Sequence, residues 1–377
     1  MRRLPSSRNR EISHSTQIEE VKEMTTLYVA SLESYSGKSA VCLGLALRLR
    51  AQGIEVGYMK PLGRLGVRVN DQYTDEDALF VWKTLGIEED WELASPVLLT
   101  TELVKFPLGG PVAGLAEKVQ GAHKRLSCEC DLLIMEGPAD LAQGMSLGIP
   151  PAQVAALTGA KAVLVTRYHP DFSLDGMLSA KAILGESLIG VIVNDAPKEK
   201  VPFTQECLVS FLARHGLELY GVLPRDRVLM SITIGELSKC VGGEVLCCEG
   251  KLGELVDSFM VGAMNVDAAL RYFRRTPNKA VITGGDRADI QLAALETSTK
   301  CLILSGNLYP DAAILGKATE MGVPMILVKT DTMRTVEAVE RAMGRIRLSN
   351  PQQVKRVEEL VEEHIDLAAL RNRLGLS

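Results

Sequence analysis

The stretch Tyr28–Ser39, which reads YVASLESYSGKS, constrains the fold of this chain more than any other. A short apolar run ends at Ser31, small residues follow, and Gly-Lys-Ser opens an apolar segment, 40–49. Strand, loop and helix joined by Gly-Lys-Ser is the layout of a phosphate-binding loop. The strict pattern has glycine where this chain has Leu32, but the flanking strand and helix favour nucleotide binding over a Gly-Lys-Ser that only starts a helix.

The physical chemistry of the loop predicts which groups would bind a nucleotide such as ATP. Backbone amides at the start of a helix carry partial positive charge and attract phosphate. Gly37 allows the backbone to approach the phosphates, Lys38 supplies a mobile charge, and Ser39 offers a hydroxyl to Mg²⁺. The predicted nucleotide-binding loop consists of Ser34, Tyr35, Ser36, Gly37, Lys38 and Ser39.

Two charged residues lie at the ends of predicted strands. Pro61 ends the second strand, 55–59, and leaves Lys60 at its carboxyl end, where ligands of open parallel sheets bind. Glu136 ends the buried strand 131–136 and is placed to hold magnesium or a magnesium-bound water. The alternative for Glu136 is an ordinary solvated glutamate at a strand end.

Two polar positions have both a functional and a structural interpretation. Asn194 follows the strand 190–193, where its amide suits the edge of a base but also suits the turn into Pro197. Either Thr74 or Asp75 is predicted to cap the helix that follows them. A side-chain cap would satisfy amides at that helix start.

The alternation of apolar strands with helices predicts an α/β fold, a doubly wound, mostly parallel sheet followed by a smaller α/β unit. Residues 88–110 are predicted to be irregular. After Asn350, apolar residues recur at helical spacing and predict a tail packed on the domain or on a partner copy. The predicted boundaries are 1–23 for a disordered leader, 24–224, 225–345, and 346–377 for the helical tail. Translation starts at Met1 or at Met24.

Composition excludes several classes of function. The net charge of −5 gives no basic surface for nucleic acid, and no apolar run approaches the ~20 residues that span a bilayer. The eight cysteines are scattered and form no Cys-x-x-Cys, which indicates reduced thiols in a cytoplasmic protein rather than disulfides or a metal site.

A glycine-rich turn in the second unit is a candidate second ligand site. It comprises Thr283, Gly284, Gly285, Asp286 and Arg287, and it lies between a strand and a helix. Such a turn is suited to an anion. The alternative is a tight turn in which Asp286 caps the helix.

Several separated motifs carry a resemblance to known families. In the first unit they are the Ser31–Ser39 loop, Lys60-Pro61, Asp77-Ala78-Leu79, Glu136-Gly137, Asn194-Asp195 and Gly221–Pro224. Residues 25–224 thereby resemble the dethiobiotin synthetase-type P-loop fold, a family that also lacks the first glycine. Residues 225–345 resemble a DRTGG domain on the basis of Asp226-Arg227, Thr233 and Gly242-Gly243. The whole arrangement resembles the N-terminal half of long bacterial phosphate acetyltransferases.

The resemblance implies roles for individual residues. Lys38 would contact the phosphates, Asn194 would meet the adenine, and Lys60 would hold a carboxylated substrate; Lys38 and Lys60 are thus the candidate catalytic residues. The implied magnesium ligands are Ser39, Asp77 and Glu136. Because the chain stops where the acyltransferase half would begin, acetyl transfer is expected to be absent.

Three functions compete. The first is a regulatory protein that binds ATP and Mg²⁺ and uses the DRTGG unit to oligomerise or to sense a second nucleotide. The second is an ATP-dependent ligase that activates a carboxylate or carbamate. The third is an assembly subunit for a separate acyltransferase partner. The tail helix favours a homo-oligomer in each case.

Overall fold

The computed structural model describes residues 24–87, 90–110, 112–343, 348 and 350–376. The predicted leader, 1–23, lies outside this range, as do residues 344–347 at the predicted boundary between the second unit and the tail. In the part that is described, no helix is both long enough and apolar enough to cross a membrane.

The first unit is built on a six-stranded parallel sheet in the order β10-β9-β8-β1-β7-β2. Its strands, with the short pairs beside the sheet, are β1 (Thr25–Ser31), β2 (Val56–Met59), β3 (Leu62–Gly63), β4 (Gly66–Val69), β5 (Gln72–Asp75), β6 (Val97–Leu98), β7 (Leu132–Glu136), β8 (Lys161–Arg167), β9 (Leu188–Ala196) and β10 (Glu218–Pro224). β7 and β2 lie on one side of β1, whereas β8, β9 and β10 lie on the other side. The order therefore reverses beside β1, and the crevice beyond the strand ends opens there.

Helices cover both faces of this sheet, which is why its central strands are continuous apolar runs. They are α1 (Lys38–Ala51), α2 (Glu76–Leu85), α3 (Trp91–Ala94), α4 (Thr101–Lys105), α5 (Leu115–Ser127), α6 (Pro151–Thr158), α7 (Leu174–Leu184) and α8 (Val201–Ala213). Every residue of β7 is buried, including Glu136 at its end. The predicted doubly wound α/β fold is confirmed.

Sequence reasoning missed several elements of the first unit. The segment predicted to be irregular, 88–110, contains α3, β6 and α4 in its described part. The polar loop after Pro61 forms the antiparallel hairpin β4–β5. Its two-residue turn, Asn70 and Asp71, has positive φ at both positions, which suits tight hairpins and is tolerated best by Asn, Asp and Gly.

The second unit has a five-stranded sheet in the order β12-β17-β16-β15-β14, parallel except for the edge strand β12. The strands from 232 onward are β11 (Ile232–Thr233), β12 (Glu244–Cys247), β13 (Leu255–Val256), β14 (Ser258–Val261), β15 (Lys279–Gly284), β16 (Thr299–Ser305) and β17 (Met325–Leu327). The helices are α9 (Ile234–Val241), α10 (Val266–Arg275), α11 (Ala288–Leu295), α12 (Ala312–Met321) and α13 (Thr332–Met343). The predicted smaller α/β unit is confirmed.

The tail forms α14 (Pro351–His364) and α15 (Leu367–Leu374) and returns to the first unit. Asn350 caps α14 by accepting a hydrogen bond from the backbone amide of Gln353. Val357 and Val361 lie on α1, where a Cβ at Gly44 would come within 2.7 Å of both. The apolar face that favoured a partner copy is therefore covered within the chain.

Candidate functional site

The loop between β1 and α1 has the geometry of an anion site. Gly37 occupies the N-cap of α1 with a φ of 90°, in the left-handed region that favours glycine. Because glycine has no side chain to cap the helix, the amides of the first turn are available to a ligand. No acidic side chain lies in that first turn.

Lys38 folds back over the loop and is buried. Its Nζ donates to Ser31 Oγ at 2.9 Å and lies 3.5 Å from Ser36 Oγ. Burial lowers the pKa of Lys38 below its usual value, although the neighbouring Glu136 acts in the opposite direction. The ammonium is thus held by hydroxyls, which are weaker partners than the phosphates it is predicted to contact.

Glu136 accepts two hydroxyl hydrogen bonds at the end of β7. Ser39 Oγ donates to Oε1 at 2.8 Å, and the Tyr58 hydroxyl donates to Oε2 at 2.6 Å. Burial and the nearby Glu136 charge raise the pKa of Tyr58 well above its ordinary value, so the phenol stays protonated and remains a donor. Tyr58 was not identified from the sequence, because an apolar strand gives no sign of a polar partner.

Lys60 lies among three carboxylates. Its Nζ is 2.8 Å from Asp75 Oδ1, 2.8 Å from Asp77 Oδ2 and 3.9 Å from Glu136 Oε1. Burial lowers the pKa of Lys60, but Glu136, Asp77 and Asp75 raise it by more, so its net pKa lies above the ordinary value. Lys60 therefore carries its charge at neutral pH.

Asp75 is a residue of the site that sequence reasoning treated only as one of two possible caps. It is the N-cap of α2 and accepts from the amides of Asp77 and Ala78, while its second oxygen accepts from the amides of Arg64 and Leu65. The side chain is fully buried. Its position two residues before Asp77 was the available signal, but the fold was needed to place it against Lys60.

Asn194 lies against the loop. Its Nδ2 donates to the carbonyl oxygen of Ser36 at 2.9 Å. The next residue, Asp195, has a φ of 60° and accepts from Arg225 Nε at 2.7 Å and from Arg167 Nη2 at 2.8 Å. Burial raises the pKa of Asp195, but the two arginines lower it by more, so it stays ionised.

These side chains surround a cavity of about 460 Å³. Every residue predicted for the site in the first unit lines it, namely Ser34, Tyr35, Ser36, Gly37, Lys38, Ser39, Lys60, Asp77, Glu136 and Asn194. The remaining wall includes residues from the segment after β10, the last residue of α13 and Leu348. These residues are Arg225, Asp226, Leu229, Met230, Met343 and Leu348.

The donor set fits a hard cation. Asp77 and Glu136 both lie within 4 Å of the Lys60 ammonium, which shows that a positive charge is accommodated between them. Within the described residues, no three His, Cys, Asp or Glu side chains form a metal cluster by themselves. A divalent cation here would therefore complete its coordination shell with waters, or with phosphate oxygens when a nucleotide is bound.

The candidate second site, Thr283–Arg287, is stabilised mainly by internal contacts. Gln291 Nε2 donates to the carbonyl oxygens of Gly284 and Gly285, each at 3.0 Å. A Cβ at Gly285 would lie 1.7 Å from the carbonyl oxygen of Leu308, so close approach of two loops explains that glycine. The alternative in which Asp286 caps the helix is wrong, because the N-cap of α11 is Arg287. Ligand binding at this turn stays a prediction.

Comparisons with known proteins agree with the two-unit architecture. An AAA domain model matches residues 25–233, and a DRTGG domain model matches residues 236–342. A phosphate acetyltransferase of Nitratidesulfovibrio vulgaris is 26% identical over 372 residues, which are 92% of this chain and 51% of that protein. The chain thus spans about half the length of the curated phosphate acetyltransferases it matches.

Two further similarities cover one unit or part of the chain. The ATP-dependent dethiobiotin synthetase of Methanococcus vannielii is 26% identical over 211 residues, 52% of this chain and 92% of that enzyme. The CBS and DRTGG domains of Clostridium perfringens pyrophosphatase, solved with the activator diadenosine tetraphosphate, match at 15% identity with a TM-score of 0.27. That match covers 47% of this chain and 88% of the other. Because its TM-score is so low, we base no argument on it.

The loop geometry and the family match together support nucleotide binding by the first unit. The match to the AAA domain model covers more than half of the sequence. The chain therefore belongs to the AAA domain family, in a form in which the P-loop unit is followed by a DRTGG domain.

Proposed function

We propose that this chain is a regulatory protein that binds ATP with Mg²⁺ and transmits the occupancy of its P-loop to the second unit. The observation that carries the proposal is the composition of the cavity wall. One part of the wall consists of the loop and the strand ends, and another part consists of Arg225, Asp226, Leu229 and Met230 with Met343 and Leu348. A nucleotide filling this cavity would contact both parts and favour one arrangement of the two units.

Two consecutive residues tie this wall to the rest of the molecule. Arg225 bonds Asp195 beside the loop, and Asp226 Oδ2 accepts from Arg356 Nε of α14 at 2.8 Å. Gln353 of α14 donates to the carbonyl oxygen of Ser231 at 3.0 Å. Since α14 also packs on α1, the P-loop helix, the connecting segment is tied to the P-loop unit at both ends.

In this proposal, Lys38 and the loop amides bind the phosphates, and Asn194 meets the base. Ser39, Asp77 and Glu136 would hold Mg²⁺, which would neutralise phosphate charge when bound. A homo-oligomer, an acyltransferase partner and a cytoplasmic location remain expectations.

The test is calorimetric titration of ATP–Mg²⁺ into the full chain, with product analysis and hydrogen exchange of the same mixtures. Wild type should bind without forming product, and Lys38→Ala should lose binding. Bound nucleotide should slow amide exchange in 225–231 and 350–357 as well as in the loop. The matched control, Lys300→Ala, removes a lysine paired with Glu254 in the second unit and should leave binding unchanged.

Different outcomes distinguish the alternatives. Protection confined to residues 31–41 would contradict the regulatory proposal while leaving nucleotide binding intact. If ATP does not bind to wild type, both nucleotide binding and the regulatory role are contradicted. An assembly subunit for an acyltransferase would then be the better explanation. That function predicts that the chain co-purifies with an acyltransferase and that Lys38→Ala does not affect the complex.

The second candidate is an ATP-dependent ligase that activates a carboxylate or carbamate. The observation that favours it is that Lys60 and Lys38 line the same cavity, as phosphoryl transfer to an anionic acceptor requires. Similarity over 92% of a dethiobiotin synthetase adds support. ADP formation that depends on an added carboxylate, with turnover lost but nucleotide affinity kept in Lys60→Ala, would establish it.

A further inference from the structure

The Lys60 ammonium lies between the two carboxylates expected to bind magnesium. Its nitrogen is at hydrogen-bond distance from Asp77 Oδ2 and at ion-pair distance from Glu136 Oε1. Lys38, which also lines the cavity, bonds to hydroxyls of the loop. Lys60 is thus a cation paired directly with Asp77.

The third carboxylate, Asp75, does not depend on Lys60 for its partners. Both of its oxygens accept from backbone amides, Oδ1 from Asp77 and Ala78 and Oδ2 from Arg64 and Leu65. These bonds fix Asp75 in place, since the amides belong to the start of α2 and to the turn before it. Asp75 can therefore hold one N–H of Lys60 while the other contacts of the ammonium change.

Asp77 differs from Asp75 in this respect. Its side chain keeps 19% of its surface exposed and lines the cavity, whereas that of Asp75 is fully buried. The contact between Lys60 and Asp77 is consequently the one that a ligand in the cavity can reach and exchange.

We propose that Lys60 occupies the place of the divalent cation between Asp77 and Glu136, and that metal loading displaces its ammonium from Asp77 while Asp75 retains it. This inference rests on the proposed magnesium ligands Asp77 and Glu136. The displaced ammonium gains a free N–H that faces the cavity, where an anionic phosphate or acceptor would receive it. Metal binding thereby both neutralises phosphate and releases a lysine for the anion.

The proposal predicts that metal affinity increases when Lys60 is removed. Removing a cation that competes for the same carboxylates should tighten metal binding, because the metal no longer has to displace a positive charge at close range. If Lys60 has only a structural role, its removal should instead weaken metal binding or leave it unchanged. Its loss would loosen the carboxylates and weaken the site.

The experiment is a titration of the full chain with Mn²⁺ alone, without nucleotide, following free Mn²⁺ by electron paramagnetic resonance. Lys60→Met should bind Mn²⁺ at least tenfold more tightly than wild type. Lys60→Gln, which keeps an N–H donor but no charge, should show the same gain if the methionine variant fails to fold. Adding Asp77→Asn to either variant should remove the gain.

Lys300→Met is the matched control, since it breaks a lysine–carboxylate pair of 2.8 Å far from the cavity and should leave Mn²⁺ affinity unchanged. Equal or weaker Mn²⁺ binding in both folded Lys60 variants would overturn the proposal, as would a gain that survives Asp77→Asn. Because no nucleotide is present, this result is separate from the ATP titration of wild type, which alone decides the proposed function.

Discussion

The amide nitrogen of Asn194 lies where a side chain on Gly37 would begin. It donates to the carbonyl oxygen of Ser36 at 2.9 Å, and a Cβ built on Gly37 would come within 2.1 Å of it. The end of β9 therefore supports the phosphate-binding loop directly. Asn194, which we propose contacts the base, and the loop therefore form one structural unit.

Gly37→Ala should lower ATP affinity by at least tenfold and destabilise the protein. Alanine is strained at a φ of 90°, which costs about 1–3 kcal/mol, and its Cβ must also displace Asn194. Gly53→Ala is the control, since Gly53 has a φ of 85° with open space around it and incurs the backbone strain alone. Equal urea midpoints for the two variants would contradict the close approach described here.

Asp75→Asn should lower the free energy of unfolding by about 3 kcal/mol near neutral pH, because it breaks a buried ion pair with Lys60. Lys60 and backbone amides hold the pKa of Asp75 below its ordinary value, even though burial alone raises that pKa. A depressed native pKa gives stability that is present above the unfolded value, about 4, and lost as pH falls through the native value.

The difference between wild type and Asp75→Asn should therefore be largest at pH 6–8 and shrink steadily below about pH 4. Urea unfolding of both proteins across that range measures it. A difference that stays constant down to pH 3 would show that the Asp75 charge is not the source of the stability.

Gly44→Ala should destabilise the protein by about 1–2 kcal/mol, although alanine favours helices, because overpacking outweighs propensity. The new methyl would lie 2.5 Å from Val361 Cγ2 and 2.7 Å from Val357 Cγ1, both on β-branched side chains with little freedom. Gly121→Ala, inside α5 with nothing within 4 Å, should instead stabilise by about 0.5–1 kcal/mol. Thermal melts of the two variants show whether each substitution stabilises or destabilises the protein. A stabilising effect of Gly44→Ala would contradict the docking of α14 on α1.

Asp226 and Arg356 should show a coupling energy of about 1–2 kcal/mol in a double-mutant cycle. The pair joins the connecting segment to α14 at 2.8 Å, and Asp226 is largely buried, so the interaction is poorly screened by solvent. Urea unfolding of Asp226→Asn, Arg356→Met and the double variant gives the value. Strict additivity would mean that α14 and the connecting segment are held together by other contacts.

The sequence was informative where structure depends on neighbouring residues. The loop at Gly37, the apolar strands and the cap at Asn350 were predictable because each is set by a short local pattern. The hairpin turn at Asn70 was missed because polar strands outside the main sheet carry no apolar alternation.

The partners of the site residues could not be predicted, since they depend on distant parts of the chain. Lys60 was predicted to face a ligand, but its pairing with Asp75 requires the hairpin to bring Asp75 back to the end of β2. The contact of Arg225 with Asp195 spans 30 positions, and that of Arg356 with Asp226 spans 130. A single sequence does not encode such distances in any local pattern.

The return of the tail to the first unit has a consequence for how the protein is made. The backbone of Gly221 pairs with Ile365, and Val357 and Val361 cover α1, so the first unit is completed by residues synthesised after the entire second unit. At an elongation rate of about 5–20 residues per second, that delay is on the order of ten seconds. During it, the surface of α1 that Val357 and Val361 later cover has no partner from the tail, so the P-loop unit reaches its final packing only after the whole chain is synthesised.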